Sequence, residues 1–243
     1  TEKRRGTPPA FFYCGFRAGN RIFFVPLASS MQVRIIDTVA RDSFHEVFNA
    51  ALLVMCLRLF GRAEYHCHPS QRRCLERLLE RHGYAADVSR VAFRRVRVVR
   101  REGPAGWVCR YAAAALRSGW RLVRSRPGEL VVFNYNNPLA LPLLDLLNGF
   151  LHRRVLIVCH GELELLAGRS PWWRASGWFA RILRRAFGRT RLDRNLRFCV
   201  LGKSILRNLR PYLSEANAPL FFAIDHPGFF EGEPAEPLPH DTL

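Results

Sequence analysis

Lysine is nearly missing from this chain. Lys3 and Lys203 are the only two among 38 basic residues. Acids are scarce as well, 20 in all, which leaves a formal net charge of +18 over 243 residues. Codon bias in a GC-rich genome would explain arginine in place of lysine, but not the shortage of acids. Such a balance implies an anionic partner, either nucleic acid or a lipid surface. The seven cysteines (14, 56, 67, 74, 109, 159 and 199) form no CxxC pair and are odd in number. Cys56, Cys67, Cys159 and Cys199 lie in apolar runs, where a free thiol serves as a small hydrophobe. This speaks against a disulfide framework and suits a reducing cytosol. His66, Cys67 and His68 are too few for a four-ligand zinc site, so no metal is expected. No apolar run reaches the ~20 residues needed to span a bilayer. GxGxxG, GxxxxGK[ST] and GxSxG are all missing, which removes the dinucleotide fingerprint, the P-loop and the nucleophile elbow.

What is present is strongest between residues 129 and 166, ELVVFNYNNPLALPLLDLLNGFLHRRVLIVCHGELELL. Two continuous apolar runs, 130–133 and 155–159, read as parallel strands buried on both faces. Polar turns follow each, Asn134 to Asn137 after the first and His160-Gly161-Glu162 after the second. An earlier strand over 33–39 leads through Ala40-Arg41-Asp42 to a helix capped by Ser43 and stopped at Gly61. A short strand over 63–68, a helix from Pro69 to Gly83 and an edge strand over 91–99 come next. A helix over 106–118 precedes the central unit. Strands over 196–201 and 220–224, with a helix over 204–213 between them, close the pattern. Strands and helices alternate about seven times, as in a doubly wound, Rossmann-like α/β domain with a mostly parallel sheet. That domain is expected over 31–230, after an N-terminal extension (1–30) outside the core. A signal peptide there is opposed by Arg17 and Arg21, which break its apolar stretch. Residues 231–243 are rich in proline and acid and read as a linker or tail.

In open α/β sheets ligands sit beyond the carboxyl ends of the strands. This nominates His160 as the chemically active group. Asp42, Ser43, His45, Asn134, Asn136, Asn137 and Glu162 are candidates to bind an acceptor. Separately, residues 170–188 (SPWWRASGWFARILRRAFG) gather Arg174, Arg181, Arg184 and Arg185 on one side of a helix. Trp172, Trp173, Trp178 and Phe179 lie on the remaining arc. Aromatics opposite arginine suit a helix lying in a membrane interface. The alternative is a core-facing helix with an arginine solvent face.

The opening strand, the FNYNNPLAL turn and helix, VLIVCHGELELL, FCVLGKSILRNL and FFAIDHPGFF together resemble the N-terminal, acceptor-side domain of a GT-B glycosyltransferase of the family-4 type. The resemblance covers roughly residues 31–230. It implies transfer from a nucleotide-sugar to a membrane-associated acceptor, lipid-linked or glycan, in polysaccharide or glycolipid assembly. His160 would then face the donor sugar from the acceptor side. No cofactor or metal would be bound by this domain alone. The nucleotide-sugar would be held by a donor-binding domain that this chain lacks or finds on a separate chain. The resemblance also implies a cytoplasmic protein, peripheral on the inner face of an anionic membrane. Two other readings stand beside it. One is a nucleic-acid-binding module using Arg94, Arg95, Arg97, Arg100 and Arg101, less favoured because no nucleic-acid motif is present. The other is a non-catalytic partner subunit of a two-chain transferase.

Overall fold

The structure, a computed structural model, describes residues 17–18, 21–22, 32–42, 45–98, 103–168 and 174–225. Its main sheet has strands β1 (Val33–Ile36), β2 (Ala63–Cys67), β3 (Val91–Arg95), β4 (Leu130–Phe133), β5 (Arg154–Cys159), β6 (Leu196–Leu201) and β7 (Phe221–Ile224). The connecting helices are α1 (Glu46–Phe60), α2 (Pro69–Arg81), α3 (Ala85–Val88), α4 (Gly103–Val123), α5 (Ala140–Leu151), α6 (Glu162–Ala167), α7 (Ala175–Gly188) and α8 (Lys203–Leu209). A separate two-residue ladder pairs Arg17–Ala18 with Arg21–Ile22.

All seven strands of the sheet are parallel, in the spatial order β3-β2-β1-β4-β5-β6-β7. The order reverses between β1 and β4, so the chain winds first one way and then the other. Alternate residues of β1 show the result. Val33 and Ile35 join Leu53, Leu57 and Leu79 of α1 and α2 on one face. Ile36 joins Leu122, Leu144 and Leu183 of α4, α5 and α7 on the other. Burial on both faces is why β4 and, past Arg154, β5 read as unbroken apolar runs. Each fully buried Leu, Ile or Phe contributes about 1.5–3 kcal/mol of transfer free energy.

The doubly wound expectation holds, with local differences. Helix α1 starts at Glu46 and is capped by His45, not Ser43, and no side-chain cap bond is made. Ser43 lies outside the described residues. Its far end is Gly61, whose φ of 74° lets its N–H close back on Leu57 O. The edge strand ends at Arg95, so Arg97 lies beyond it. Arg94 shares the open face of that strand with Ala92, and its Nε lies 3.4 Å from Glu64 Oε1. Arg100 and Arg101 are outside the described residues. The acids after β5 begin the short helix α6, where the sequence suggested only a turn.

Helix α7 overturns part of the membrane reading. Phe179 is 1% exposed, and Leu183 and Phe187 are equally enclosed. Phe179 stacks on Trp107 at 4.7 Å and meets Tyr111 at 5.3 Å. Its ring belongs to the core and is not available to a lipid surface. Arg174, Arg181, Arg184 and Arg185 are exposed, and Trp178 partly so. Arg184 nevertheless donates to Leu166 O at 2.7 Å, which ties α7 to α6. Trp172 and Trp173 lie outside the described residues.

Candidate active site at the carboxyl ends of the strands

Asp37 follows β1 directly and is 2% exposed. Such a carboxylate is tolerated only if its lone pairs are filled. Oδ1 accepts from Val39 N at 3.1 Å and Ala40 N at 2.8 Å. Oδ2 accepts from Asn49 Nδ2 at 3.4 Å and Gln71 Nε2 at 3.1 Å. Asn49 Oδ1 in turn accepts from Asn134 Nδ2, which also lies 3.4 Å from Tyr65 OH. One polar lattice therefore joins β1, β2, β4, α1 and α2. Burial and the neighbouring Asp37 charge raise the Tyr65 phenol well above its ordinary pKa, so it stays a donor. A cavity of about 10 Å³ remains between Asp37, His45, Asn49, Asn134 and Tyr135. That is room for one water at most.

His160 sits above this lattice. Its Nε2 is 3.0 Å from Asn134 O, a carbonyl that can only accept, so Nε2 carries the proton and Nδ1 is the basic nitrogen. Phe48 meets the ring edge-on at 4.6 Å, and Tyr135 lies nearly parallel at 6.2 Å. The His45 ring is 4.9 Å away. His45 and Asp42 both hold left-handed φ values, 54° and 52°. Histidine and aspartate adopt that region more readily than most residues. In that conformation at the head of α1 the His45 ring lies against His160.

Glu162 opens α6 and is buried. Burial pushes its carboxyl up to about 7, against the pull of Asn136 and the Gly161 N–H. The latter donates to Oε2 at 3.0 Å. A carboxyl poised near neutrality can both take and give a proton. Asn134 Oδ1 is buried without a hydrogen bond that fills it, while the Asn136 amide faces the Glu162 carboxyl. Tyr135 OH lies 3.1 Å from Tyr111 OH, extending the wall to α4.

The nominated residues therefore divide. His45, His160, Glu162, Asn134 and Asn136 come together. Asn137 is committed to the scaffold: Nδ2 donates to Tyr111 O at 2.8 Å and Oδ1 accepts from Leu139 N at 3.0 Å. Asp42 sits against the start of α2, its N–H donating to Ser70 Oγ at 3.1 Å. Sequence reasoning passed over Asp37, Asn49 and Gln71. The available signal was an aspartate inside an apparent strand, where that residue is depleted.

A larger groove of about 1080 Å³ lies at the opposite end of β1 to β3. Two of its arginines are paired, Arg34 with Glu64 at 3.5 Å and Glu129 at 3.2 Å, and Arg90 with Asp87 at 2.9 Å. Among the described residues no cluster of three or more His, Cys, Asp or Glu could hold a metal, and no helix is long and apolar enough to cross a membrane.

Fold and site together define a Rossmann-like α/β unit with a polar cluster at its topological switch point. No family model matches the sequence, and no curated protein does. Among solved structures the chain is similar to the GT-B glycosyltransferase UGT89C1 of Arabidopsis thaliana, crystallised with quercetin. The TM-score is 0.51 at 8% identity, over 82% of this chain and 51% of that one. The chain thus spans about half the length of that structure. At this identity the likeness establishes a GT-B-like fold.

Proposed function

We propose that this chain is the acceptor-side half of a glycosyltransferase, resembling family 4, acting on a membrane-associated lipid-linked or glycan acceptor. The observation that carries the reading is the grouping of His45, Asn134, and the pair His160 and Glu162 at the carboxyl ends of β1, β4 and β5 respectively. A GT-B-like sheet would open its cleft there. In transfer, an acceptor hydroxyl oxygen attacks the anomeric carbon while the bond to the diphosphate breaks and the leaving group keeps the electron pair. The hydroxyl proton must go to a base. His160 is the catalytic residue in this reading, its ring fixed by Asn134 O and hemmed by Phe48 and Tyr135. Glu162 holds or releases a proton beside it, and Asn136 offers a donor to the acceptor. The nucleotide-sugar is held by a second unit, on the same gene product or on another chain.

The test uses the native gene product, incubated with nucleotide-sugars and the membrane fraction of its own cells. His160→Ala is expected to lower sugar transfer about 10²–10⁴-fold with thermal unfolding unchanged. Full transfer by that variant overturns the assignment. No transfer by the parent, alone or with its co-purifying chains, overturns the function.

A further inference from the structure

Leu116, Trp120 and Val123 recur at helical spacing along α4, and Leu146 and Phe150 along α5. All five are exposed, Leu116 at 70% and Phe150 at 79%. The helices pack closely through Gly119. A Cβ there would lie 2.8 Å from Leu143 Cδ2 and 3.2 Å from Leu147 Cδ1. At ~100° per residue, Leu116 and Val123 fall on the α5 side of α4. Leu146 and Phe150 fall on the outer, α4-facing side of α5. The five side chains thus form one ridge along the helix pair. A contiguous apolar surface of this kind marks an interaction site.

The charges beside it are of one sign. Arg117, Arg121 and Arg124 fall on the flank of α4 away from α5, and Arg126 follows in the next turn. No acid occurs from residue 103 to residue 128. The Arg124 guanidinium lies 4.6 Å from the centre of the Trp120 ring. The acid on α5, Asp145, is engaged by Asp193 N at 2.7 Å. A second copy in a two-fold pairing would bring like arginines together. A bilayer with anionic headgroups meets both requirements, since tryptophan and phenylalanine enter the interface while arginine stems lie along it.

We propose that the outer face of α4 and α5, and not α7, docks this protein on an anionic lipid surface. The inference stands on this ridge and is independent of the transferase reading. The purified chain is mixed with sucrose-loaded vesicles of phosphatidylcholine alone or with added phosphatidylglycerol, and pelleted. The parent pellets with the anionic vesicles. The triple variant Leu116→Gln, Trp120→Gln, Phe150→Gln is expected to lose binding by roughly 10-fold or more, although its charge is unchanged. Should the triple variant melt early, Phe150→Gln alone is expected to lose part of the binding. Trp178→Ala on α7 keeps it. Undiminished pelleting of both ridge variants overturns the proposal, because net charge alone would then account for adhesion. A dimer by sedimentation without lipid, split by the same substitutions, overturns it in favour of a second copy.

Discussion

Helix α7 and the α4–α5 pair cover the same face of the sheet, and both mix aromatic residues with arginine. All three helices turn apolar side chains inward, but only the α4–α5 pair also carries a ridge of them outward. Phe179, Leu183 and Phe187 of α7 turn inward. Phe187 meets Phe198 at 5.5 Å and Phe221 at 5.0 Å, while Arg181, Arg184, Arg185 and Trp178 look outward. On α4, Ala114, Ala115 and Ser118 are buried together with Tyr111 and Leu122, while Leu116 and Trp120 are not. The difference lies in which side chains the neighbouring layer had room for. Bulk went inward where β6 and β7 left space. On α4 and α5 part of it also went outward, where the two helices approach through Gly119. Amphipathicity states that a helix has two faces; packing decides which one meets water.

The sharpest way to break this contrast is to truncate one aromatic on each surface. Phe187→Ala is expected to cost about 3–5 kcal/mol of unfolding free energy, since a buried ring is lost and Phe198 and Phe221 both lose a packing partner. Phe150→Ala should stay within about 0.5 kcal/mol, because its ring is already in water. Denaturant unfolding of the two variants checks this, and equal costs would abolish the distinction.

The two surfaces should also differ in their response to pH. Behind α7, Glu162 carries a carboxyl raised from 4.5 to about 7 by burial. A raised acid favours folding in its protonated form. Its contribution is complete below about 4.5 and is lost as pH climbs through about 7. The size is on the order of 3 kcal/mol. Glu162→Gln should flatten that part of the stability curve, and substitutions on the α4–α5 ridge should leave its slope alone. His66 acts in the opposite sense. Burial first, then Arg121, lowers it to about 4 against the opposing pull of Glu64. Its contribution is present above 6.5 and lost as pH falls towards 4. Stability measured from pH 4 to 8 in parent and Glu162→Gln separates the two effects.

Gly119 offers a smaller, sharper probe of the α4–α5 contact. Gly119→Val must displace Leu143 and Leu147, at an expected cost of about 1–3 kcal/mol. Because it spreads the helices, it should also weaken vesicle binding without touching an exposed residue. Unfolding and pelleting of the same variant report both effects.

Much of the sheet is legible in the chain because doubly buried parallel strands leave continuous apolar runs. Strands β4 and β5 fall at 130–133 and 154–159, where those runs lie. The polar turns after β4 and β5 are legible for the same reason, and so is His160. The lattice beneath them is not. Asp37, Asn49, Gln71, Tyr65 and Asn134 meet only when β1, β2, β4, α1 and α2 assemble, and no local period encodes that meeting. Asn137 looks the same as Asn134 in sequence, yet a contact with Tyr111 O turns it into scaffold. Helix α6 is too short to show its own period. The arginine-aromatic pattern of 170–188 fits a core helix as well as a lipid one; the ring of Phe179 against Trp107 assigns that residue to the core.

The smallest expected effect concerns the two described tryptophans that look outward, Trp178 on α7 and Trp120 on α4. Either change to Ala should move unfolding by less than about 1 kcal/mol, since both side chains are substantially exposed. Stability alone therefore does not separate them. Partition to anionic vesicles does. Trp120 belongs to a ridge with Leu116, Val123, Leu146 and Phe150, so its loss removes part of a shared surface. Trp178 stands beside Phe179 at 5.9 Å, on a helix whose apolar side is already spent on the core. Weaker binding for Trp120→Ala and unchanged binding for Trp178→Ala sharpens the comparison to one residue on each helix. The reverse ranking would return α7 to the membrane and leave the α4–α5 ridge for a protein partner.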